Sequence, residues 1–416
     1  MRVFKFGGAS VKDAESVRNV KKVLETTGYE ELVVVVSAMG KMTNALEKVV
    51  HYYFYNKEEV QNAIDEVVLF HRTILLDLFL EKVHPIFDKV ASLFKEMKRF
   101  LESNKSPDYS YVYDQIVCYG ELISTKIISA YLNNEQIANT WIDSRECIKT
   151  DSSYRDANVD WDLTNLRIKT IIKRKGLTVT QGFLGANYNN FTTTLGREGS
   201  DYTAAIYAYC LNAESVTIWK DVPGVLNADP REFKKTILLE QISYREAIEM
   251  AFYGASVIHP KTLQPLQRKE IPLYVKSFLS PLNSGTSVAK GKDLEPEVSC
   301  YVVKKNQVLL SLSSLDFSFM VEDNIGEVFK LLHLYKMKVN LIQNSAISFS
   351  VVADNQYNQL ENLLSKLKPT FKVKYNENVT LYTIRHFKEK EITFFEKELD
   401  ILIKQQSRDT MQFVVK

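Results

Sequence analysis

Leu32-Val-Val-Val-Val-Ser37 is the stretch that most restricts the fold. Four consecutive valines after a leucine leave no polar face. Such a strand must be buried on both sides, as the strands of parallel sheets are. A parallel sheet needs crossover helices to cover it, and the flanking sequence supplies them. Val3–Phe6 reads as a strand, followed by a helix from about Ala14, capped by Asp13 and stopped at Gly28. Further strands read near Ile137–Asp143, Leu177–Gln181, Val216–Lys220 and Leu273–Ser277. Helical period runs through Asp114–Asn133, Trp161–Lys175 and Tyr202–Leu211. Residues 44–113 form a helical excursion that includes Ala63–Leu80 and Ile86–Leu101, and Ser243-Tyr-Arg-Glu246 is a capping box opening a helix that ends near Gly254. Residues 1–280 are therefore expected to form one α/β domain with a mainly parallel central sheet.

Ser280–Pro296 holds two prolines and two glycines and reads as a linker, taken as 281–303. Beyond it the pattern becomes β-α-β-β-α: Val308–Leu312, Ile325–Tyr335, Val339–Ile342, Ile347–Val352 and Gln356–Leu367. A strand at Val379–Ile384, a helix at Glu389–Lys404 and a final strand at Met411–Val415 follow. Residues 304–416 thus read as an α+β region of the ferredoxin-like kind. A second copy of the module is expected to be incomplete, because only one strand–helix–strand follows residue 375.

Composition excludes more than it selects. A formal net charge of +2 gives no reason to propose nucleic acid or membrane as a partner. Cys118, Cys147, Cys210 and Cys300 are scattered singly, as buried reduced thiols would be, and the six histidines are equally dispersed. Neither a disulfide framework nor a protein-held metal site is expected. No apolar run approaches the ~18 residues of a membrane span. Arg2 and Lys5 preclude a signal-peptide core, so the expected location is cytoplasmic.

Two segments carry chemistry. Thr192-Thr-Thr-Leu-Gly-Arg-Glu-Gly-Ser-Asp201 ends where an apolar-periodic segment begins. Ser200 suits an N-cap and Asp201 a first turn, and amides at such a terminus favour anions. Arg197 offers a two-pronged grip on carboxylate or phosphate. The same residues would also serve an ordinary polar loop with a capped helix. At the other end of the chain, the strand carrying Lys5 breaks at Gly7-Gly8, where the backbone is free to approach a ligand closely. No G-x-x-x-x-G-K-[ST] phosphate loop occurs.

In combination and order, these motifs resemble the aspartate kinases of the amino-acid kinase superfamily, over essentially the whole chain. Lys5-Phe-Gly-Gly-Ala-Ser-Val11 is similar to the family's opening K-F-G-G-T-S-V, with Ala9 replacing threonine. Ser37-Ala-Met39 with Thr43-Asn44, Tyr119-Gly-Glu121, Gln181-Gly-Phe-Leu-Gly185 and Thr192–Asp201 resemble four more blocks, the last with Glu198 where glycine is usual. Asp221-Val-Pro-Gly-Val225 and Ala228-Asp-Pro-Arg231 resemble the nucleotide segment, and Gly254-Ala255, Val257 and His259-Pro260 the block that follows it.

The resemblance implies a three-layer amino-acid kinase sandwich followed by a C-terminal ACT region that pairs subunits as a homodimer. It implies ATP-dependent phosphorylation of the side-chain carboxylate of L-aspartate, with Mg²⁺ held largely by nucleotide oxygens and water. Lys5 would stabilise the transferred group, with Gly7, Gly8 and Asp201 beside it. Ser37, Thr43, Glu121, Phe183, Arg197 and Ser200 would bind aspartate. Asp221, Val225 and Arg231 would bind nucleotide. Three positions depart from the family: Ser256 replaces a lysine, Lys220 a small hydroxyl residue and Asn227 a threonine. Lys261 is a candidate to restore the charge lost at Ser256. Asn340 and Ala346 stand where lysine-regulated relatives carry carboxylates, so inhibition by lysine is expected to be weak or absent. A sister kinase acting on glutamate or acetylglutamate, or a non-catalytic amino-acid-binding regulator, is the competing reading.

Overall fold

An eight-stranded sheet organises the first of two units, which comprises Met1–Val225, Leu238–Ile248 and Ser256–Pro296. The computed structural model describes residues 1–80, 83–255, 258–316 and 318–416. The strands of this unit are β1 (Arg2–Phe6), β2 (Glu31–Val36), β3 (Asn139–Ile142), β4 (Gly176–Gln181), β5 (Leu184–Ala186), β6 (Thr192–Thr194), β7 (Ser215–Lys220), β8 (Gln241–Ser243), β9 (Leu273–Ser277) and β10 (Thr286–Ala289). The sheet runs β3-β4-β2-β1-β7-β9-β10-β8, and every neighbouring pair is parallel except β9 and β10. β5 and β6 form a separate antiparallel pair.

The valine strand behaves as its composition demands: Leu32 to Val36 are fully buried, between β1 and β4. Phe4 and Phe6 pack on Trp219 of β7, with ring centroids 5.5 and 6.1 Å apart. Because side chains alternate along a strand, Lys5 must face the opposite side of the sheet. β1 is also where the topology reverses. β2 and β4 lie to one side and β7 and β9 to the other, so a crevice opens at its carboxyl end.

The helices are α1 (Ala14–Thr27), α2 (Met42–Tyr55), α3 (Val60–Leu78), α4 (Ile86–Ser103), α5 (Tyr109–Asn134), α6 (Ser144–Cys147), α7 (Trp161–Ile171), α8 (Gly199–Leu211), α9 (Tyr244–Tyr253) and α10 (Pro260–Arg268). The excursion is α2, α3 and α4, whose apolar faces join α5 in the largest core. His71 of α3 is fully buried there; its Nδ1 lies 2.8 Å from the Val67 carbonyl, and burial lowers its pKa to about 4.

The second unit comprises Leu226–Ile237, Glu249–Ala255 and Glu297–Lys416. Its elements are β11 (Cys300–Ser314), α11 (Glu322–Leu334), β12 (Val339–Asn344), β13 (Ser348–Asp354), α12 (Leu360–Leu367), β14 (Phe371–Arg385), α13 (Glu389–Glu398), β15 (Ile401–Gln406) and β16 (Thr410–Val415). They form one antiparallel sheet in the order β12-β13-β11-β14-β16-β15. β11 is used twice. Gln307–Ser314 pairs with Phe371–Val379 inside a complete βαββαβ module, and Cys300–Lys304 pairs with Leu381–Arg385 beside α13, β15 and β16.

Two expectations are corrected here. The segment 281–303 is not a plain linker: Thr286–Ala289 is a strand inserted between β8 and β9, and β11 begins at Cys300. A four-residue strand among prolines and glycines has no periodicity to announce it, and its neighbours hold it. After residue 375 the order is strand, helix, strand, strand, because the helix ends at Glu398 and Ile401–Gln406 forms β15. The thiols are buried as expected, at Cys118, Cys147, Cys210 and Cys300 alike. No described helix is long and apolar enough to cross a membrane.

Candidate active site

The carboxyl ends of β1, β2 and β4 and the start of α8 enclose a cavity of about 220 Å³, lined by Lys5, Ser37, Thr43, Glu121, Phe183, Gly196, Glu198, Gly199 and Ser200. Six of these were candidates on sequence grounds. Residues separated by as much as 195 positions thus meet because parallel strands bring all their carboxyl ends to one edge.

Lys5 leaves the β1 core with its ammonium 2.6 Å from Asp201 Oδ1 of α8, and both side chains are nearly inaccessible. Removing one partner of such a pair strands a buried charge, which costs about 3–5 kcal/mol. Gly8 follows. A Cβ there would stand 2.6 Å from the Gly40 carbonyl, so only glycine lets the loops after β1 and β2 approach this closely. The Gly40 amide donates to the Gly8 carbonyl at 3.0 Å, and the Ser37 amide to the Phe6 carbonyl at 3.1 Å. Ser124 of α5 donates to the Ser37 carbonyl at 2.8 Å and fixes the loop from the other side.

The start of α8 is locked against the end of β4. A Cβ at Gly182 would lie 2.4 Å from Ser200 Cβ, so that contact requires glycine. Thr203 Oγ1 accepts from the Phe183 amide at 2.9 Å while donating to the Gly199 carbonyl at 2.8 Å. The expected cap is corrected: Glu198, not Ser200, is the N-cap of α8, at φ 55° and ψ 26°. That left-handed conformation costs a non-glycine residue roughly 1–2 kcal/mol, which accounts for glycine being usual at this position.

Glu121 is the other buried ionisable group of the cavity, only 2% exposed. Its Oε1 accepts from the Ala38 amide and Thr43 Oγ1, both at 3.4 Å, and Oε2 has no hydrogen-bond partner among the described residues. Burial raises its pKa to about 8, only partly offset by those weak bonds. A carboxylate held this way is poised for a cation.

Arg197 is exposed and does not line the cavity; it stands beside it between Gly196 and Glu198. His259, the N-cap of α10, has its pKa lowered by burial and by the nearby charges of Lys261 and Arg197. Lys261 is ion-paired with Asp156, whose carboxylate abuts Gly196. Lys261 therefore belongs to the rim of the Gly196 loop. Ser256, for which it was expected to compensate, lies outside the described residues. Lys220, two residues past the partner of Lys5 in β7, projects from the same sheet face as Lys5.

The remaining nucleotide candidates are not drawn into this cavity. Asp221 is exposed just past β7. Val225 is buried with its amide on Thr286 Oγ1 (2.8 Å) and its carbonyl on the Leu239 amide (2.9 Å). Arg231 belongs to the second unit, exposed and paired with Asp229 at 2.6 Å. Asn227 has a structural reason for not being threonine: its amide accepts from the Ile237 amide (2.7 Å) and donates to the Ser299 carbonyl (2.9 Å), a double role no hydroxyl methyl pair reproduces at that reach.

Sequence reasoning passed over Asp114. Its carboxylate accepts from the Thr194 amide and hydroxyl (2.9 and 2.8 Å) and the Arg155 amide (3.1 Å), pinning two loops to α5. Burial lifts its pKa to about 6. The signal was a carboxylate, with Gln115 beside it, on a helix whose neighbouring positions Val112, Tyr113, Ile116 and Val117 are apolar.

A profile described as the amino acid kinase family matches residues 1–277, and the chain belongs to that family. Lysine-sensitive aspartokinase 3 of Escherichia coli is 31% identical over 392 residues, covering 92% of this chain and 86% of the relative. Solved structures of E. coli aspartokinase III, one with lysine and aspartate and one with aspartate and ADP, superpose with a TM-score of 0.83 at 29% and 28% identity, covering 100% of this chain and 96% of theirs. Within the family, this chain is thus one of the aspartokinases.

Proposed function

We propose that this chain transfers the γ-phosphoryl group of ATP to the side-chain carboxylate of L-aspartate, giving 4-phospho-L-aspartate, the entry to lysine, threonine and methionine synthesis. The observation that carries the reading is the convergence of the Lys5–Asp201 pair and buried Glu121 on one cavity. A carboxylate nucleophile is already ionised near neutral pH and needs no base. The obstacle is the approach of two anions, so catalysis is positioning and cationic stabilisation. Lys5 supplies that cation, and Asp201 holds its ammonium toward the cavity. The Gly7 and Gly8 backbone lies beside the phosphates, and the α8 N-terminus favours the anionic substrate.

Glu121 takes the α-ammonium of aspartate; Thr43, Ser37, Phe183 and Ser200 shape the pocket around it. Arg197 closes from the rim onto the α-carboxylate. Asp221, Val225, Arg231 and Lys261 remain assigned to the nucleotide on resemblance, with Lys220 the cation that strand parity places on the Lys5 face. Among the described residues no three His, Cys, Asp or Glu side chains group to hold a metal. Mg²⁺ would be carried on nucleotide oxygens and water, where it would neutralise phosphate charge.

A homodimer through the C-terminal region is part of the same reading. β12 is an edge strand, and Leu334, Ile342 and Ile347 near it are exposed. Light scattering should return twice the chain mass. The reaction itself is tested by hydroxylamine trapping of acyl phosphate with ATP, Mg²⁺ and a panel of acids. Aspartyl hydroxamate is expected; product from glutamate or acetylglutamate, or none from any acid, would overturn the assignment.

A further inference from the structure

A second cavity, of about 200 Å³, lies away from the first, between α4, α5 and β3. Its walls combine Ile86, Ala130 and Trp141 with the cationic side chains of Lys89 and Lys126 and the polar ones of His84, Ser129 and Asn133. Lys126 rests on the face of Trp141, with Nζ 3.4 Å from the ring centroid, and neither ammonium group forms an ion pair or hydrogen bond among the described residues. Asp143, a carboxylate whose charge Lys126 feels, is committed to Arg145 at 2.6 Å. Burial disfavours the charge of Lys126, as do the nearby positive charges of Lys89 and Arg145, and Asp143 and Glu96 compensate only in part. Two cations without a carboxylate partner around a part-apolar recess comparable in size to the roughly 150 Å³ that admits benzene describe an anion with an apolar body.

We propose that this cavity is a binding site for a small organic anion, a carboxylate or phosphate on an aromatic or branched aliphatic body, with Lys126 and Lys89 taking the charge and Ile86, Ala130 and Trp141 the body. The site is wired to the active site. Trp141 Nε1 donates to Thr125 Oγ1 at 3.0 Å, and that hydroxyl donates to the Glu121 carbonyl at 2.9 Å and accepts from Gln181 Nε2 at 2.9 Å. A ligand that shifts Trp141 therefore pulls on the turn of α5 bearing Glu121. Occupancy is expected to change the KM for aspartate and leave the KM for ATP alone, an effect that rests on the reaction proposed above; binding itself does not.

The test uses the full chain labelled with 5-fluorotryptophan, whose three tryptophans give three ¹⁹F resonances, the Trp141 line being assigned by Trp141→Phe. Benzoate and phenyl phosphate are titrated to about 10 mM, the weak-binding range of small fragments, with neutral benzamide as control. A saturable shift of the Trp141 line with either anion, weakened at least about tenfold in Lys126→Gln and in Lys89→Gln, is expected, and the better anion identifies the head group. No saturable shift, equal binding of benzamide, or binding unchanged in both variants overturns the site. Binding with no change in the KM for aspartate would keep the site and overturn the coupling. Lys126→Gln is expected to keep the basal kcat, so the variant reports binding rather than damage.

Discussion

β1 and β2 in the first unit and β11 and β14 in the second obey the same backbone alternation but dispose of polar side chains differently. The parallel sheet is covered on both faces, so a polar residue in it must find a built environment. Lys5 does so in Asp201. The antiparallel sheet has solvent-exposed stretches as well as buried ones, and Lys304, Asn340, Gln307 and Asp354 make an ordinary chain of hydrogen bonds of 2.6 to 2.7 Å. In the first sheet, burial marks a charged side chain as a candidate for function, though not the buried hydroxyls of Thr178 or Thr217. In the second it marks little.

The largest effect should come from the first sheet. Lys5→Ala is expected to lower kcat about 10²–10³-fold, the scale for loss of one preorganised transition-state donor, while aspartate still binds; Lys5→Met with Asp201→Asn removes both charges and checks that folding is not the cause. Near-normal turnover in either would break the comparison. His71 probes it from the other side, as a buried polar residue with no chemistry. Its folded pKa, about 4, lies below its unfolded value, so its contribution is full above pH 6.5 and lost as pH falls toward 4. The linkage relation converts this to roughly 2 kcal/mol of stability lost between pH 7 and 5. Urea midpoints at the two pH values should show that loss, and His71→Leu should remove most of it with kcat unchanged.

Arg197→Lys is expected to raise the KM for aspartate about ten- to a hundredfold, because a fork becomes a point charge; an equal rise for ATP would assign the arginine elsewhere. Glu121 gives a smaller, pH-shaped effect. Its raised pKa, about 8, means the empty site holds a proton at neutral pH that the substrate ammonium must expel. The KM for aspartate should therefore fall about tenfold from pH 7 to pH 8 and above at most, and Glu121→Gln should flatten the profile at a higher KM. The same shift makes ionised Glu121 a cost to folding that grows from about pH 4.5 to 8, so Glu121→Gln should melt no lower than wild type at pH 8. The smallest effect belongs to the second sheet. Asn340 accepts from Lys304 and donates to Gln307, offering an added ammonium no carboxylate, and Lys304 and Lys338 add like charge. Submillimolar lysine should leave the rate essentially unchanged; half-inhibition in that range would show that another carboxylate serves.

Legibility in the sequence followed the same division. The valine strand, the capped first helix and Lys5 before paired glycines could be read because each breaks or satisfies a period locally. Glu121 could be singled out only through its resemblance to a family motif. Lys261 could not be placed, because its partner Asp156 is 105 residues away and no local pattern encodes that pairing. β10 and β15 were missed for a related reason: each is short, and neighbouring strands rather than its own periodicity hold it in place. Asp114 was legible in principle, as a carboxylate among mostly apolar neighbours on a helix.

The doubled use of β11 bears on the order in which the chain can be made. A nascent chain emerges from its amino end, so Cys300–Lys304 leaves the ribosome long before Leu381–Arg385, its pairing partner. The complete module between them, Gln307 to Val379, can close on itself meanwhile, since one of its cores, from Val308 to Phe371, lies wholly within that stretch. Translation therefore builds the inner module first and the outer one around it. A stop codon near residue 375 would deprive Cys300–Lys304 of its mate, whereas deleting the inner module as a cassette would leave the outer strands able to meet.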